Sequence, residues 1–309
     1  MRCEGDQVMV VSGAQQAFFL CAQLLLDSKV AFWMEEPGYP HARRALSATG
    51  ARVVPVPVDG EGLVVTSGRD RHAKPRLVYV TPSHQCPTGA AMSAEGRLEL
   101  LEYAGRARAW VIEDDYDSEY RFFSRPLPAL QSLDRHNRVI YVGSLSKTML
   151  PCLRVGFIVL PPPLVEPFGR ARAVIDRHSP TVEQQALADL IDDGLFERHI
   201  RRMRALYLER RGVLVEAIRG ELNDAIEVPE TDAGLYVLGW LRGGLNEDAL
   251  LSAASARDVR LLPVSAFYSR RSRRGGLVLG YGAYSAEAIR EGVRRLAEAV
   301  HEVGKNSRH

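Results

Sequence analysis

The chain has 309 residues, enough for one large domain or two modest ones, which excludes a peptide or a disulfide-stapled mini-domain. Apolar residues make up 46% and charged residues 25%, close to globular averages, so wholesale disorder is excluded as well. Lysine and arginine number 40 against 38 acidic residues, a formal charge of +2, too balanced for a chain that works mainly by clamping polyphosphate or anionic lipid.

The first two thirds alternate short β-branched runs with amphipathic stretches, which predicts an α/β layout with a parallel sheet covered by helices. VMVV, Val8–Val11, reads as a buried strand; Ser12-Gly13 then opens AQQAFFLCAQLLLD, whose apolar residues recur at helical spacing. The row Phe18, Phe19, Leu20, Leu24, Leu25 fits a core or dimer face. VAFWM, ARVVPVPV, LVYV, AWVIE, RVIYVG and VGFIVLP supply further strands, with a helix over Ala94–Arg108, giving a sheet of six or seven strands. After Pro161-Pro162-Pro163 the pattern turns helical over Leu164–Asp176, Val182–Asp193 and Phe196–Leu222, and Thr181-x-x-Gln184 suits a capping box. GLYVLGWL, RLLPV and GLVLGY read as strands and Asn246–Arg257 and Ser285–Val303 as helices. The expected division is a large domain over 1–195 and a long connecting helix with a small α+β domain over 196–309. The arginine runs Arg201–Arg204 and Glu209–Arg211 read as solvated helix faces, and Ser269–Gly276 as a cationic loop.

Cys3, Cys21, Cys86 and Cys152 are too few and scattered for a disulfide framework and form no C-x-x-C pair. The opening MRCEGDQVMVVSG carries Arg2, Glu4 and Asp6 where a signal peptide needs an apolar stretch, and no run of 18 apolar residues follows. A cytoplasmic chain without membrane contact is the expectation.

Five segments carry chemistry. Lys147 follows a predicted strand in VIYVGSLSKTMLPCLRVGF, with Ser144 and Ser146 before it and Arg154 after it. Two hydroxyls and an arginine near one amine suit a phosphate-bearing aldehyde captured as a Schiff base, although such a lysine is also compatible with an ordinary surface cation. In AWVIEDDYDSEYRF a strand runs into Glu113, Asp114, Asp115, Tyr116 and Asp117, where open α/β sheets bind ligands. A buried carboxylate there needs a cationic partner, which a pyridinium nitrogen supplies; a solvated acidic turn and a divalent-metal site on Asp115, Asp117 and Glu119 are the alternatives. Ser12-Gly13-Ala14 forms a strand-to-helix turn whose free N–H groups can hold phosphate. EEPGYP presents Tyr39 as a flat face for a planar ring, and TPSHQCPTG, Thr81–Gly89, is a Pro- and Gly-rich loop carrying His84.

Together EEPGYP, TPSHQ-x-PTG, IEDDYDSEYR, PLPALQSLD and GSLSK-x-x-x-P-x-LR-x-G resemble, in order, the fold-type I pyridoxal-phosphate enzymes of the aminotransferase class I/II family. The resemblance is closest to the aminotransferase-like domain of MocR/GabR-type bacterial transcription regulators, without their N-terminal winged helix-turn-helix. It implies a mostly parallel central sheet flanked by helices, a smaller C-terminal α+β domain, pyridoxal 5′-phosphate as cofactor, an amino acid or other amine as ligand, and a homodimer. It further implies that Lys147 carries the cofactor as a Schiff base, Asp114 pairs with its ring nitrogen, Tyr116 bonds its phenolic oxygen and Tyr39 stacks on its ring. Ser12, Gly13, Ala14, Ser144, Ser146 and Arg154 would surround the phosphate.

The chain also departs from the pattern. Cys86 stands where the family usually has asparagine before Pro-Thr-Gly, with His84 or Gln85 as substitutes. The strand GLVLGYGAY lacks the family's substrate-carboxylate arginine, Ala266 stands where the GabR-type regulator has another, and His41 replaces a third. The family's early N-terminal segment is also missing, as expected of a misassigned start or a truncated product. Three readings follow: a PLP-binding sensor that reaches DNA only through a helix-turn-helix encoded upstream; a working aminotransferase; and a degenerate fragment that no longer binds cofactor.

Overall fold

The computed structural model describes residues 1, 3–123, 127–270 and 274–306. Its elements run β1 (Val8–Val11), α1 (Ala14–Leu25), β2 (Ala31–Glu36), α2 (Pro40–Ser47), β3 (Arg52–Asp59), β4 (Gly62–Leu63), α3 (Val65–Arg71), β5 (Leu77–Val80), α4 (Ala94–Ala107), β6 (Trp110–Asp115), α5 (Leu130–Leu133), β7 (Val139–Ser144) and β8 (Gly156–Val159). Then follow α6 (Pro162–Ile175), α7 (Thr181–Asp192), α8 (Leu195–Glu221), β9 (Ile226–Glu227), β10 (Tyr236–Leu241), α9 (Glu247–Ser255), β11 (Leu262–Pro263), β12 (Gly276–Gly280) and α10 (Ala286–Asn306). The chain divides into two units: most of the first 198 residues, and the part from His199 onward with Pro87–Gly89 and a short stretch beginning at Tyr120.

The first unit is built on an eight-stranded sheet of order β1-β8-β7-β6-β5-β2-β3-β4, against the six or seven strands expected. The extra strand is β4, two residues folded back antiparallel on β3, too short to leave a periodic signal. Strands β3, β2, β5, β6 and β7 run parallel, while β8 is antiparallel to both β7 and β1. β2, β5, β6 and β7 are buried almost throughout, which explains why they read as continuous apolar runs rather than alternating ones. Successive side chains still go to opposite faces. Phe32, Met34, Tyr79, Ile112 and Val142 enter one core with α1 and α6 residues such as Phe18 and Phe168. Trp33, Val78, Val80, Val111 and Val139 enter a second core with Leu100 and Leu101 of α4. Of the aromatic-aliphatic row on α1, Phe18, Leu20 and Leu25 are buried and Phe19 is largely exposed.

Two local expectations are corrected. Thr181 does not cap α7: Pro180 is the N-cap, Thr181 is the first helical residue, and Gln184 instead donates to the carbonyls of Ser179 and Pro180. Nor are all the arginines of α8 simply solvated: half-buried Arg210 and Arg211 donate to Gly282 O at 2.5 Å and Thr231 O at 2.6 Å. Arg201 and Arg202 are exposed. The cationic loop reading at Ser269–Gly276 falls partly on residues 271–273, outside the described residues.

The second unit carries a four-stranded antiparallel sheet, β11-β12-β10-β9. Its core joins Leu214 and Ile218 of α8, Val237 of β10, Leu277 of β12 and Val293, Leu296 and Ala299 of α10. Among the described residues no helix is long and apolar enough to cross a membrane.

Candidate active site

The predicted phosphate-side residues meet where β1 and β7 end and β8 begins. Gly13 turns the chain from β1 into α1 with φ +91°, a left-handed conformation open to glycine. Arg154 lies against it and donates from Nη2 to the Ser12 carbonyl at 2.8 Å. Ser144, the last residue of β7, is paired with Gly156, and the Ser146 N–H donates to Ser144 Oγ at 3.3 Å. A side chain on Gly156 would meet Gly13 Cα and the Gly143 carbonyl, each at 2.9 Å, so this backbone convergence requires glycine. Ala14 opens α1, and its neighbour Gln16 accepts from the Ser12 N–H at 2.6 Å while donating to Asp176. Lys147 sits on the turn after β7 with its side chain exposed.

The ring-side residues come from the ends of β2, β5 and β6. Asp114 is 4% exposed. One oxygen accepts from the Tyr79 hydroxyl at 2.5 Å; the other, Oδ1, is buried with no hydrogen-bond partner among the described residues. Burial pushes the Asp114 carboxyl up to about 7, and neighbouring Asp115, Glu35 and Asp117 add to the rise. Half-buried Tyr39, at the N-terminus of α2, lies close enough to Asp114 and Cys86 that their charges help raise its phenol, although burial is the larger cause. Tyr116 donates to the His84 carbonyl at 2.8 Å, and its oxygen is 3.0 Å from His84 Nδ1.

The other acidic residues have separate duties. Glu113 accepts the Leu130 and Gln131 N–H groups at 2.7 and 2.9 Å, which holds the start of α5. Asp115 accepts from Ser118 and Tyr141, and Asp117 is bonded to His84. Sequence reasoning missed Tyr79, which looks like any aromatic in an apolar strand. It also left the buried Glu35 unassigned. This carboxylate gathers the Thr81 N–H, the Thr81 hydroxyl and the Gln85 amide, which fixes the loop carrying His84 to the end of β2.

The buried Asp114 carboxyl makes stability depend on pH. Asp114 has a native pKa of about 7 against an ordinary 3.8, so the native state holds more protons than the unfolded one between those values. Its contribution is present in full below pH 4 and is lost as pH rises toward 7 and above. Thermal melts from pH 4 to 8 should therefore show falling stability in the wild type and a flatter profile in Asp114→Asn. Equal slopes would contradict this assignment.

A doubly wound sheet with an anion-ready glycine turn, a lysine after one strand and a buried carboxylate at the end of the neighbouring strand matches the fold of the type I pyridoxal-phosphate enzymes. The chain belongs to the aminotransferase class I and II family, whose profile matches residues 3–296; pyridoxal 5′-phosphate is that family's cofactor. It is 42% identical over 299 residues to the probable rhizopine catabolism regulatory protein MocR of Rhizobium meliloti, covering 97% of this chain and 60% of that one. It is 36% identical to the HTH-type transcriptional regulator TauR of Rhodobacter capsulatus, covering 96% and 60%. The crystal structure of LysN, the α-aminoadipate aminotransferase of Thermus thermophilus complexed with N-(5′-phosphopyridoxyl)-L-leucine, superposes with a TM-score of 0.89 at 30% identity, covering 96% of this chain and 78% of that one. The chain thus spans about 60% of the length of these regulators.

The residues present fit the cofactor. The unpartnered Oδ1 of Asp114 is an acceptor awaiting a cationic donor, and the Gly13–Gly156 convergence leaves backbone rather than side chain at the helix N-terminus.

Proposed function

We propose that this chain is the PLP-binding, effector-sensing and dimerising part of a MocR-type transcriptional regulator, working in the cytoplasm with an amino acid or another amine as its ligand. The observation that carries this reading is the 42% identity running across 97% of the chain onto such a regulator. The departures at His41, Ala266 and GLVLGYGAY support it, because a transaminase needs its substrate carboxylate fixed. Residues 1–195 hold the cofactor and 196–309 form the smaller domain. DNA is reached through a helix-turn-helix encoded ahead of this region, which an in-frame reading of the gene upstream of Met1 tests.

When bound, the cofactor supplies an aldehyde that captures amines and a ring that takes up electron density from them. The chain's residues do the rest. Lys147 offers its amine to the aldehyde and, once released, can move a proton. Asp114 would hold a proton on the ring nitrogen, Tyr116 and His84 would serve the phenolic oxygen, and Tyr39 would cover the ring. Ser12, Gly13, Ala14, Ser144, Ser146 and Arg154 take the phosphate.

The retention of Lys147, Asp114 and Tyr116 together favours a second reading, an aminotransferase passing an amino group between an amino acid and a 2-oxo acid. With PLP-loaded protein and a panel of amino acids, the sensor reading expects no more than one equivalent of 2-oxo acid per site. Several turnovers would overturn it in favour of the enzyme.

A further inference from the structure

Asp117 lies two residues beyond the end of β6 and is 1% exposed. Its carboxylate is 2.9 and 3.2 Å from His84 Nδ1, and His84 is itself 2% exposed. The same nitrogen is 3.0 Å from the Tyr116 hydroxyl oxygen. A carboxylate at this distance fixes a hydrogen on Nδ1, since the ionised acid can only accept. Nδ1 then has no lone pair to offer the phenol, and the Tyr116 hydrogen goes instead to the His84 carbonyl at 2.8 Å. Remove the carboxylate's demand and Nδ1 can become an acceptor that competes for the phenol hydrogen. Cys86, two residues on from His84, replaces little of this, because a thiol is a weak donor.

We propose that Asp117 is a positioning residue: by holding the hydrogen on His84 Nδ1 it denies the Tyr116 hydroxyl that acceptor, so that its one hydrogen, given to the His84 carbonyl here, is free to turn to the cofactor's phenolic oxygen. The proposal rests on the PLP reading above. Asp117 itself touches neither ring nor ligand in this role. The other titratable groups around this corner are Asp114 and Asp115 on β6, Tyr79 on β5, Glu35 on β2, and Tyr39 and Cys86 in the adjoining loops.

The test uses the full chain loaded with PLP, reading cofactor affinity by titration and the pH midpoint of the visible absorption. Asp117→Asn, nearly isosteric, is expected to weaken PLP about tenfold, the scale of one hydrogen bond involving a charged group, and to move the midpoint by about half a unit or more. In a Tyr116→Phe background the same substitution should leave the midpoint where Phe alone puts it, because its effect runs through the phenol. Should Asp117→Asn fail to fold by circular dichroism, His84→Gln carries the same expectations. An unchanged affinity and midpoint overturns the proposal, as does a shift that persists undiminished in the Phe background. A wild-type chain that shows no visible band overturns the PLP reading itself, and the proposal with it; the wild-type band thus distinguishes the two failures.

Discussion

Lys147→Ala, incubated with PLP and freed of excess, is expected to show none of the visible absorption band that the wild type retains. The wild-type band requires a covalent bond from a lysine amine to the cofactor aldehyde, and the chain has four lysines, Lys29, Lys74, Lys147 and Lys305. Lys147 alone follows the end of a sheet strand beside the glycine turn: it comes three residues after Ser144, whose β-partner Gly156 touches Gly13. Its side chain is exposed, so the substitution removes an amine without opening a cavity, and the variant should fold like the wild type. A band of undiminished intensity in the variant would place the attachment on one of the other three lysines and sink the site.

The second large effect is expected at Asp114. Replacing it by alanine should weaken PLP by at least about a hundredfold, because removing one partner of a buried ion pair costs about 3–5 kcal/mol. Tyr79→Phe removes the hydrogen bond that orients the same carboxylate, and should cost less, about tenfold, since the charge remains. Equilibrium titration followed by absorbance checks both. An Asp114→Ala chain that binds as tightly as the wild type would show that the ring nitrogen sits elsewhere.

Much of this was legible in the sequence because the sheet is made of β-branched runs bounded by loops: β1, β5 and β8 lie within runs that read as strands, and β2, β3, β6 and β7 overlap such runs and extend one or two residues past them. The elements that escaped include α2, although its buried Ala42, Ala45 and Leu46 recur at helical spacing, and the four-residue α5; the others lack a usable period. β4 and β9 are two residues each, and α3, VTSGRDR, is short, polar and interrupted by glycine. At the site, Lys147 and Arg154 stand out in the sequence beside Ser144 and Ser146, while only the family resemblance singles out Asp114 from its acidic run. Tyr79 does not stand out, since its role depends on register. β5 pairs Tyr79 with Ile112, which places its ring on the same face of the sheet as Asp114, two residues further along β6. That face relation needs the strand order, which sequence periodicity does not contain. The His84–Asp117 pair was hidden for a similar reason: both residues were noticed, but one as a loop residue and the other as part of an acidic turn.

The run Glu113-Asp114-Asp115 is not a reservoir of interchangeable negative charge. Glu113 and Asp115 point to one side of the sheet and spend their oxygens on the chain itself, on the α5 backbone and on Ser118 and Tyr141. Asp114 points to the other side and keeps an oxygen that nothing among the described residues satisfies. The three positions therefore differ in what they depend on. A lineage that gave up its ligand would still need Glu113 and Asp115 in order to fold, whereas Asp114 would become a burden, a buried acid with no counter-charge, and drift toward asparagine or an apolar residue would relieve it. Decay of binding in such a protein should thus leave its first trace at a single letter in the middle of an otherwise intact motif, and in this chain that letter still reads aspartate.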